Sequence, residues 1–235
     1  MKVRQLGLMK YQSALELMEQ LHNEVAQNDA FEEHILIVEH PSVVTMGLRD
    51  RTADLKSSEA ELVSKGVDFH HIDRGGSVTI HEPGQLVVYP VVRLNARDLT
   101  VRRLVWSLEE VMIKECARWG LNAQRDQINP GVWIGMNKVG AVGVRVARHV
   151  SKHGLALNIC NTLQTFSHIV PCGIHGRGVT SIQNSLTNFN GEMNLPHIGE
   201  RMAADLVELI FSFRQSPKEI EERFLLFISS RQASE

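Results

Sequence analysis

The chain has 235 residues, of which 43% are hydrophobic and 22% charged, and its formal net charge at pH 7 is −2. A chain of this length and composition can bury a core without disulfides, and its small net charge gives no reason to expect a nucleic-acid or membrane partner. Its apolar runs are too short to cross a bilayer, and its first residues lack the apolar stretch of a secretion signal. We therefore predict one domain, residues 1–235, in the cytoplasm.

The first quarter of the chain predicts strand, helix and two further strands. Residues 3–8 form a short β-rich run, and apolar residues at helical spacing predict an amphipathic helix from Tyr11 to Gln27. Residues 34–47 predict two extended segments that bend at Pro41, because proline biases the residue before it away from helical backbone.

Two strand-like runs, 77–81 and 85–92, flank the sequence Glu-Pro-Gly-Gln. Proline at the second position and glycine at the third are typical of a type II turn, whose third residue needs a positive φ. We therefore predict a β-hairpin that turns at Gly84.

The rest of the chain is again mixed. A helix is predicted from Thr100, whose hydroxyl can cap it, to Trp119, with Gly120 ending it. The remaining predicted elements are glycine-rich strands in 131–159, a loop at 186–196 and helices at about 197–213 and 217–229. This irregular alternation favours an α+β fold with a mixed sheet over a regular series of βαβ units.

The three cysteines do not suggest a disulfide framework. Cys116 falls on the apolar face of a predicted helix, and Cys160 ends a predicted strand, so we interpret both as structural. Cys172 lies in a loop between a proline and a glycine, and loops on a rigid scaffold carry many reactive groups. From the residues alone, Cys172 is equally well a loop thiol without function or a nucleophile.

A nucleophilic thiol must ionise, and one nearby cation is enough to cause this. A free thiol has a pKa of about 8.5, and a positive charge about 4 Å away contributes about 4 kcal/mol at an effective dielectric near 20, against about 1.4 kcal/mol per pKa unit. The candidate cations are Lys138, Lys152, His149, His153, His168 and His175.

Metal and nucleotide chemistry are minor alternatives. The spacing of His149, His153, Cys172 and His175 matches no closed four-ligand zinc pattern, and the chain has no CxxC pair. No phosphate-binding loop of the G-x-x-x-x-G-K-[ST] type occurs. We therefore predict neither a metal nor a cofactor.

Five stretches, taken together, resemble the octanoyltransferase family, which is the family of lipoate-biosynthesis protein B. These stretches are EHPSVVTMG (39–47), RGGSVTIHEPGQLVVYP (74–90), NPGVWIGMNKVGAVGVRV (129–146), HGLALNI (153–159) and VPCGIHGRGVTS (170–181). They occur in the order and at the spacings of that family.

The resemblance implies a fold, a reaction and partners. The fold is similar to the catalytic domain of biotin and lipoate protein ligases, a single domain with a mixed β-sheet packed with helices. The reaction transfers an octanoyl group from octanoyl-acyl carrier protein to a lysine of a lipoyl domain. The implied acceptors are the lipoyl domains of 2-oxoacid dehydrogenases and the glycine cleavage H protein. We expect a monomer that binds neither nucleic acid nor membrane.

The resemblance also implies roles for particular residues. Cys172 matches the nucleophile that holds the acyl group as a thioester, and Lys138 matches the lysine that lowers the pKa of that thiol. In its neutral form Lys138 could also take a proton from the acceptor amine. The implied substrate-binding residues form three segments: Arg74, Gly75, Gly76, Ser77, Val78, Thr79, Ile80 and His81; Ala141, Val142 and Gly143; and Gly154, Leu155 and Ala156.

Glu82 departs from the family pattern, which usually has a glycine at this position. A glycine needed for positive φ would make Glu82 strained and would place its charge at the rim of the pocket. The first position of a type II turn instead accepts glutamate without strain. We favour the second interpretation.

Two other functions are weighed against the transferase. An ATP-dependent lipoate or biotin protein ligase shares the implied fold but needs no nucleophilic cysteine. A non-catalytic lipoyl-domain or acyl-carrier binding protein needs neither Cys172 nor Lys138. The presence of both residues favours the transferase.

Overall fold

A large mixed sheet forms the centre of the computed structural model, which describes residues 1–48, 54–97, 99–126, 130–169 and 177–212. The strands are β1 Lys2–Leu8, β2 His34–Glu39, β3 Val43–Met46, β4 Asp68–His71, β5 Val78–His81, β6 Gln85–Val91, β7 Gln124–Arg125, β8 Val132–Ile134, β9 Asn137–Ala147, β10 Val150–Asn158 and β11 Gly178–Val179. The helices are α1 Tyr11–Gln27, α2 Glu59–Ser64, α3 Val101–Arg118, α4 Ile182–Ser185 and α5 Leu195–Ser212.

The strands form two sheets. The large sheet has the order β1-β2-β6-β10-β9-β8-β7, and β11 pairs with β9 in addition. Within it β1 runs parallel to β2, and β11 runs parallel to β9, whereas the other pairs are antiparallel. The small sheet has the order β4-β3-β5. The predicted mixed α+β fold is therefore confirmed, with a second sheet that the prediction did not include.

The predicted β-hairpin at Gly84 is wrong, although the turn itself forms. Gly84 has φ +86°, and Gln85 N–H donates to Glu82 O at 3.1 Å. However, β5 pairs with β3, whereas β6 lies between β2 and β10. Every residue of β6 is buried, as expected for a central strand with neighbours on both sides, so the turn connects two sheets.

Helices cover both faces of the large sheet. The apolar side of α1, including Met18, Leu21 and Val25, packs on one face. The apolar sides of α3 and α5, including Leu108 and Leu206, pack on the other. As predicted, Thr100 caps α3 by accepting a hydrogen bond from Arg103 N–H through its hydroxyl. The helix predicted at 217–229 lies outside the described residues.

The small sheet has a core of its own. Val44, Met46 and Ile80 pack there against Leu62 of α2 and against Ile169. Ile169 is thus fixed beside β5, at the end of the described segment that precedes Cys172. No helix among the described residues is long and apolar enough to span a membrane.

Candidate active site

All three predicted substrate-binding segments contribute to one pocket, which we call the histidine pocket. It is a narrow cleft that is partly open to solvent. It is lined by Tyr11, Arg74, Thr79, His81, Tyr89, Ala141, Val142, Gly143, His153, Gly154, Leu155 and Ala156. The register of the sheet explains why two of the segments meet, since β9 and β10 pair Gly143 with Gly154 and Ala141 with Ala156.

Other residues of the first segment support this pocket from outside its wall. Gly75 N–H donates to Val144 O at 3.1 Å and so attaches the 74–76 loop to β9. Gly76 has φ +93°, and the Ser77 hydroxyl donates to Asp54 at 2.9 Å. Ile80 is buried in the core of the small sheet.

The Arg74 side chain links the 74–76 loop to the small sheet. Its guanidinium donates to the carbonyl oxygen of Thr45 at 2.9 Å and to the Thr45 hydroxyl at 3.0 Å. It also donates to Gly75 O at 3.0 Å. The Arg74 side chain therefore fixes the loop that closes one side of the histidine pocket.

Aromatic and imidazole rings surround the polar end of this pocket. The rings of Tyr11 and His81 stack with centroids 5.9 Å apart, and His40 Nε2 lies 3.0 Å from the Tyr89 hydroxyl oxygen. Burial lowers the pKa of His40 to about 4 and holds the pKa of His81 well below its usual value. Burial also raises the pKa values of Tyr11 and Tyr89. The ring cluster is therefore uncharged at neutral pH.

A buried chain of amides joins His81 to the strand that carries Lys138. His81 Nδ1 lies 2.7 Å from Gln85 Oε1, and Gln85 Nε2 donates to Asn158 Oδ1 at 2.9 Å. Asn158 Nδ2 donates to Thr180 O at 2.9 Å, and Thr180 N–H donates to Lys138 O at 2.9 Å. Because Gln85 Oε1 is an acceptor, His81 holds its proton on Nδ1.

Lys138 lines an adjoining pocket, which we call the lysine pocket. The two pockets share Thr79, Ala141 and Ala156. Lys138 is only 7% exposed, and its Nζ donates to Pro130 O at 3.0 Å. The same ammonium lies 5.5 Å from the centroid of the Trp133 ring. Lys138 is thus a buried side chain in the wall of the lysine pocket.

Glu109 of α3 supports the backbone under Lys138. Its carboxylate accepts from Gly131 N–H at 2.8 Å and from Arg125 Nε at 3.1 Å. Gly131 has φ +127°, and a Cβ there would lie 2.6 Å from Lys138 Cε, so a side chain at 131 would displace the lysine. Burial raises the pKa of Glu109.

The predicted nucleophile Cys172 lies outside the described residues, as does His175. The described chain on either side is attached near Lys138. Ile169 lines the lysine pocket and forms a β-bridge with Leu55. Gly178 and Val179 pair with Asn137 and Lys138.

The other two cysteines fit their predicted structural roles. Cys116 is fully buried in the main core, and burial raises its thiol pKa to about 12. Cys160 is half-buried, and burial also raises its thiol pKa. Both are therefore neutral thiols at pH 7.

The other described candidates for activating the Cys172 thiol either contact other side chains or are exposed. They are His149, Lys152, His153 and His168. His168 Nδ1 lies 2.9 Å from the Ser57 hydroxyl, and His149 is an exposed turn residue with φ +62°. Lys152 and His153 both contact Asp73. Among the described residues no cluster of three potential ligands could hold a metal; two members of the weighed zinc set lie outside them, so the absence of a metal stays a prediction.

Glu82 is buried, with 2% exposure, and does not lie at the pocket rim. Its carboxylate accepts hydrogen bonds from Asn161 Nδ2 at 2.9 Å, Leu163 N–H at 2.6 Å and Thr165 N–H at 3.2 Å. The positive φ of this turn belongs to Gly84, which confirms that Glu82 needs no strained backbone. Glu82 instead fixes the loop that leads to Ile169.

Several site residues had no signal of their own in the sequence. The sequence pattern assigns no role in the site to Tyr11, Tyr89, Asp73 or Glu109. For His153 the sequence pattern suggests only a thiol activator or a metal ligand. Their proximity results from the pairing of distant strands, which the local pattern does not contain.

Comparisons with known proteins identify the family of the chain. The model of the lipoyl protein ligase A/B catalytic domain matches residues 10–206. The octanoyltransferase of Alkaliphilus metalliredigens is 42% identical over 187 residues, covering 79% of this chain and 85% of that protein. The mitochondrial octanoyl-[acyl-carrier-protein]:protein N-octanoyltransferase of Xenopus tropicalis is 46% identical over 190 residues, covering 79% of this chain and 78% of that protein.

A solved structure of lipoate-protein ligase A bound with ATP has the same fold. Its TM-score is 0.69 at 13% identity, over 89% of this chain and 86% of that chain. At this identity the likeness concerns the fold alone. Fold and relatives together define an enzyme of the acyltransferase class. The chain belongs to the lipoyl protein ligase A/B catalytic domain family, in its octanoyltransferase branch.

Proposed function

We propose that this protein moves an octanoyl group from octanoyl-acyl carrier protein to the lysine of a lipoyl domain, with Cys172 holding the group in between as a thioester. The observation that carries the proposal is the convergence of three separate segments on the histidine pocket, whose wall continues to Lys138. The name of the Xenopus relative, with an acyl-carrier donor and a protein acceptor, supports the same donor and acceptor here.

The lining of the histidine pocket suits an octanoyl chain. Ala141, Val142, Leu155 and Ala156 give it a wall of small and apolar side chains. Each CH₂ group of the chain that leaves water for this wall contributes about 0.8 kcal/mol to binding. The acyl chain therefore anchors the substrate, and its carbonyl is held towards the lysine pocket.

Chain connectivity supports the pairing of Cys172 with Lys138. Cys172 follows Ile169 by only three residues in the sequence, and a stretch of chain this short spans at most roughly 11 Å. Ile169 lines the same pocket as Lys138. A cation beside a thiol favours the thiolate, which is the nucleophilic form.

The proposed first half-reaction exchanges one thioester for another and needs no ATP. The Cys172 thiolate attacks the octanoyl carbonyl, a new C–S bond forms, and the C–S bond to the carrier's pantetheine breaks. The Lys138 ammonium gives its proton to the leaving pantetheine thiolate. Backbone N–H groups near Cys172 or in the 74–76 loop are the proposed donors to the oxyanion.

The second half-reaction delivers the group to protein lysines. The proposed acceptors are the lipoyl domains of 2-oxoacid dehydrogenases and the glycine cleavage H protein. We further propose that residues 1–235 form one catalytic domain that works as a monomer in the cytoplasm, without metal or cofactor.

The test is incubation with octanoyl-acyl carrier protein in the absence of ATP, followed by intact-protein mass spectrometry. We expect one added octanoyl group on the wild type and on the matched control Cys160→Ser. In Cys172→Ser we expect octanoyl transfer to be slower than in the wild type. Wild-type transfer by Cys172→Ser would remove the assigned nucleophile. Activity that depends on ATP and free octanoate would favour the ligase, and the absence of any octanoyl adduct or transfer would favour the binding protein.

A further inference from the structure

A single peptide group lies between the lysine of the site and a buried acid of α3. The carbonyl oxygen of Pro130 accepts a hydrogen bond from Lys138 Nζ at 3.0 Å. The N–H of the same peptide group belongs to Gly131 and donates to Glu109 Oε1 at 2.8 Å. In a trans peptide the C=O and the N–H point in opposite directions, so this group connects the carboxylate on one side with the lysine on the other.

The 130–131 peptide also contacts the aliphatic part of the Lys138 side chain. Gly131 has φ +127°, and a Cβ built there would lie 2.6 Å from Lys138 Cε and 2.5 Å from Gly140 O. The backbone at Gly131 therefore packs directly against the lysine and against the strand that carries it. Because of this close approach, a shift of the peptide would move the lysine side chain as well as its hydrogen-bond acceptor.

Both oxygens of the Glu109 carboxylate accept hydrogen bonds, which fixes its orientation. Oε1 accepts from Gly131 N–H, and Oε2 accepts from Arg125 Nε at 3.1 Å. Arg125 also donates to Trp106 O at 3.0 Å and to Glu110 Oε2 at 2.7 Å, and its guanidinium lies 4.6 Å from the centroid of the Trp106 ring. Helix α3 thus holds the arginine that orients the carboxylate.

Packing alone does not explain an acid at position 109. Glu109 is 7% exposed, and burying a carboxylate costs solvation energy that an apolar side chain would not lose. Burial raises the pKa of Glu109, whereas the hydrogen bond from Gly131, the charge of Arg125 and the charge of Lys138 lower it. Because the attraction between Glu109 and Lys138 is mutual, the carboxylate also stabilises the positive charge in the lysine pocket.

We propose that Glu109 is a positioning residue of the transfer reaction, which holds Lys138 Nζ in the lysine pocket through the 130–131 peptide. This inference rests on the proposed function, in which the charge of Lys138 favours the Cys172 thiolate. Glu109 touches no reacting atom in this scheme and acts through Lys138. Arg125 supports it by orienting the carboxylate.

The pKa of the Cys172 thiol tests this role, because the two effects that Glu109 could have on it are opposite in sign. Removing a negative charge near the site would by itself favour the thiolate and lower the thiol pKa. Displacing Lys138 would disfavour the thiolate and raise the thiol pKa. The other charged groups beside Glu109, which are Arg125 of β7 and Glu110 of α3, stay in place when only Glu109 is changed. A rise therefore reports a displaced lysine.

Glu109→Ala and Glu109→Gln are the two test variants. Both lose the charge, but glutamine keeps one acceptor oxygen for Gly131 N–H. In Glu109→Ala we expect the pKa of Cys172 to rise by about one unit and octanoyl transfer to slow about tenfold, because misplaced reacting groups are costly. Glu109→Gln should show the same directions at smaller size, and it carries the test if Glu109→Ala does not fold.

Two measurements are needed. Alkylation of Cys172 by iodoacetamide between pH 5 and 10, followed by peptide mass spectrometry, gives the thiol pKa. Octanoyl-acyl carrier protein as donor and a lipoyl domain as acceptor give the rate of transfer. An unchanged or lowered thiol pKa in both Glu109 variants would overturn the inference.

The matched control is Glu110→Ala, at the next residue of α3. Glu110 pairs with the same arginine as Glu109, but the acceptor of Gly131 N–H is Glu109. Arg125 keeps its bonds to Glu109 and to Trp106 O in this variant, so we expect a wild-type thiol pKa and a wild-type rate. Equal changes in Glu109→Ala and Glu110→Ala would show that the arginine cluster alone matters and would overturn the inference.

A second background shows whether Glu109 acts through Lys138. In Lys138→Met the lysine is absent, so adding Glu109→Ala should cause no further rise of the thiol pKa and no further slowing of transfer. A double-mutant cycle measures this coupling. Full additivity of the two substitutions would show a merely structural acid and would overturn the inference.

The outcomes distinguish this inference from the proposed function. A wild type that forms the acyl-enzyme, together with Glu109 variants that keep the wild-type thiol pKa and rate, would overturn the inference alone. Failure of the wild type to form an acyl-enzyme would overturn the proposed function, and this inference with it.

Discussion

The guanidinium of Arg177 stacks on the indole ring of Trp133, with its central carbon 3.7 Å from the ring centroid. Lys138 Nζ lies 5.5 Å from the same centroid, and Arg177 also pairs with Asp126. Trp133 therefore connects the lysine of the site to the residue that follows the segment carrying Cys172. We therefore expect Arg177 to act as a positioning residue in this arrangement.

Replacing Arg177 with glutamine should slow octanoyl transfer about tenfold, because small misplacements of reacting groups are costly. The melting temperature should change little, since the side chain is partly exposed. Steady-state transfer and thermal unfolding would be compared with Arg118→Gln, which also loses an arginine–carboxylate pair but lines neither pocket. Equal rates in the two variants would contradict the positioning role.

Replacing Lys138 with methionine should raise the pKa of the Cys172 thiol towards its free value of about 8.5. The rate of alkylation by iodoacetamide, measured from pH 5 to 10, reports this pKa. Cys116 and Cys160 interfere little, because burial raises the pKa values of both thiols. An unchanged titration curve in Lys138→Met would remove the role assigned to the lysine.

Replacing Glu82 with alanine should destabilise the fold by about 3 kcal/mol, because three donors, two of them backbone N–H groups, lose their acceptor. Glutamine at this position keeps one acceptor oxygen and should cost less. Urea unfolding measures the loss, and Glu59→Ala, an exposed acid in α2, should stay within about 0.5 kcal/mol of the wild type. A wild-type stability of Glu82→Ala would show that water satisfies these donors.

Replacing Gly154 with alanine should destabilise the large sheet. A Cβ at this position would lie 2.1 Å from Val88 O and 2.8 Å from Pro90 Cδ, so β6 and β10 would have to separate. Overpacking of this kind costs about 1–3 kcal/mol or more. Gly66→Ala is the control, since no atom lies within 4 Å of its Cβ and its φ of +75° should cost only about 1 kcal/mol. Equal losses in both variants would contradict the steric explanation.

The buried histidine ring cluster should make the fold sensitive to acid. His40 has a folded-state pKa of about 4, below its unfolded value of about 6.5. Its neutral burial therefore gives stability that is present above pH 6.5 and lost as the pH falls towards 4, about 3 kcal/mol in all. Urea unfolding between pH 7.5 and 5 should show this slope, and it should be shallower in His40→Gln. Exposed His71→Gln should leave the slope unchanged.

The local sequence pattern was sufficient to predict most of the individual helices and strands. The predicted bounds of α1 match the structure, and Thr100 caps α3 as expected, because caps and helical periodicity act over a few residues. The β-hairpin prediction failed because a turn fixes chain direction but not strand partners. The partners of β5 and β6 are set by β3, β2 and β10, which are distant in sequence.

The site was predictable where it lies in contiguous motifs and was missed where strand pairing assembles it. The three segments at Arg74–His81, 141–143 and 154–156 were identified from the family resemblance, and each contributes to the histidine pocket. The contact of His153 with Asp73 depends on the folding of a loop against β10, and the contact of Lys138 with Pro130 depends on the turn before β9. Neither distance can be obtained from sequence spacing.

Because Glu82 is buried under residues 161–165, its turn and this loop cannot be exchanged independently for the corresponding segments of a relative. A glycine at position 82 has no carboxylate, so a loop built for glycine must satisfy its N–H groups by other means. Chimeras that swap either the turn or the loop alone should fold poorly, whereas chimeras that swap both should recover. We therefore expect an alignment of relatives to show position 82 and the 161–165 loop changing together.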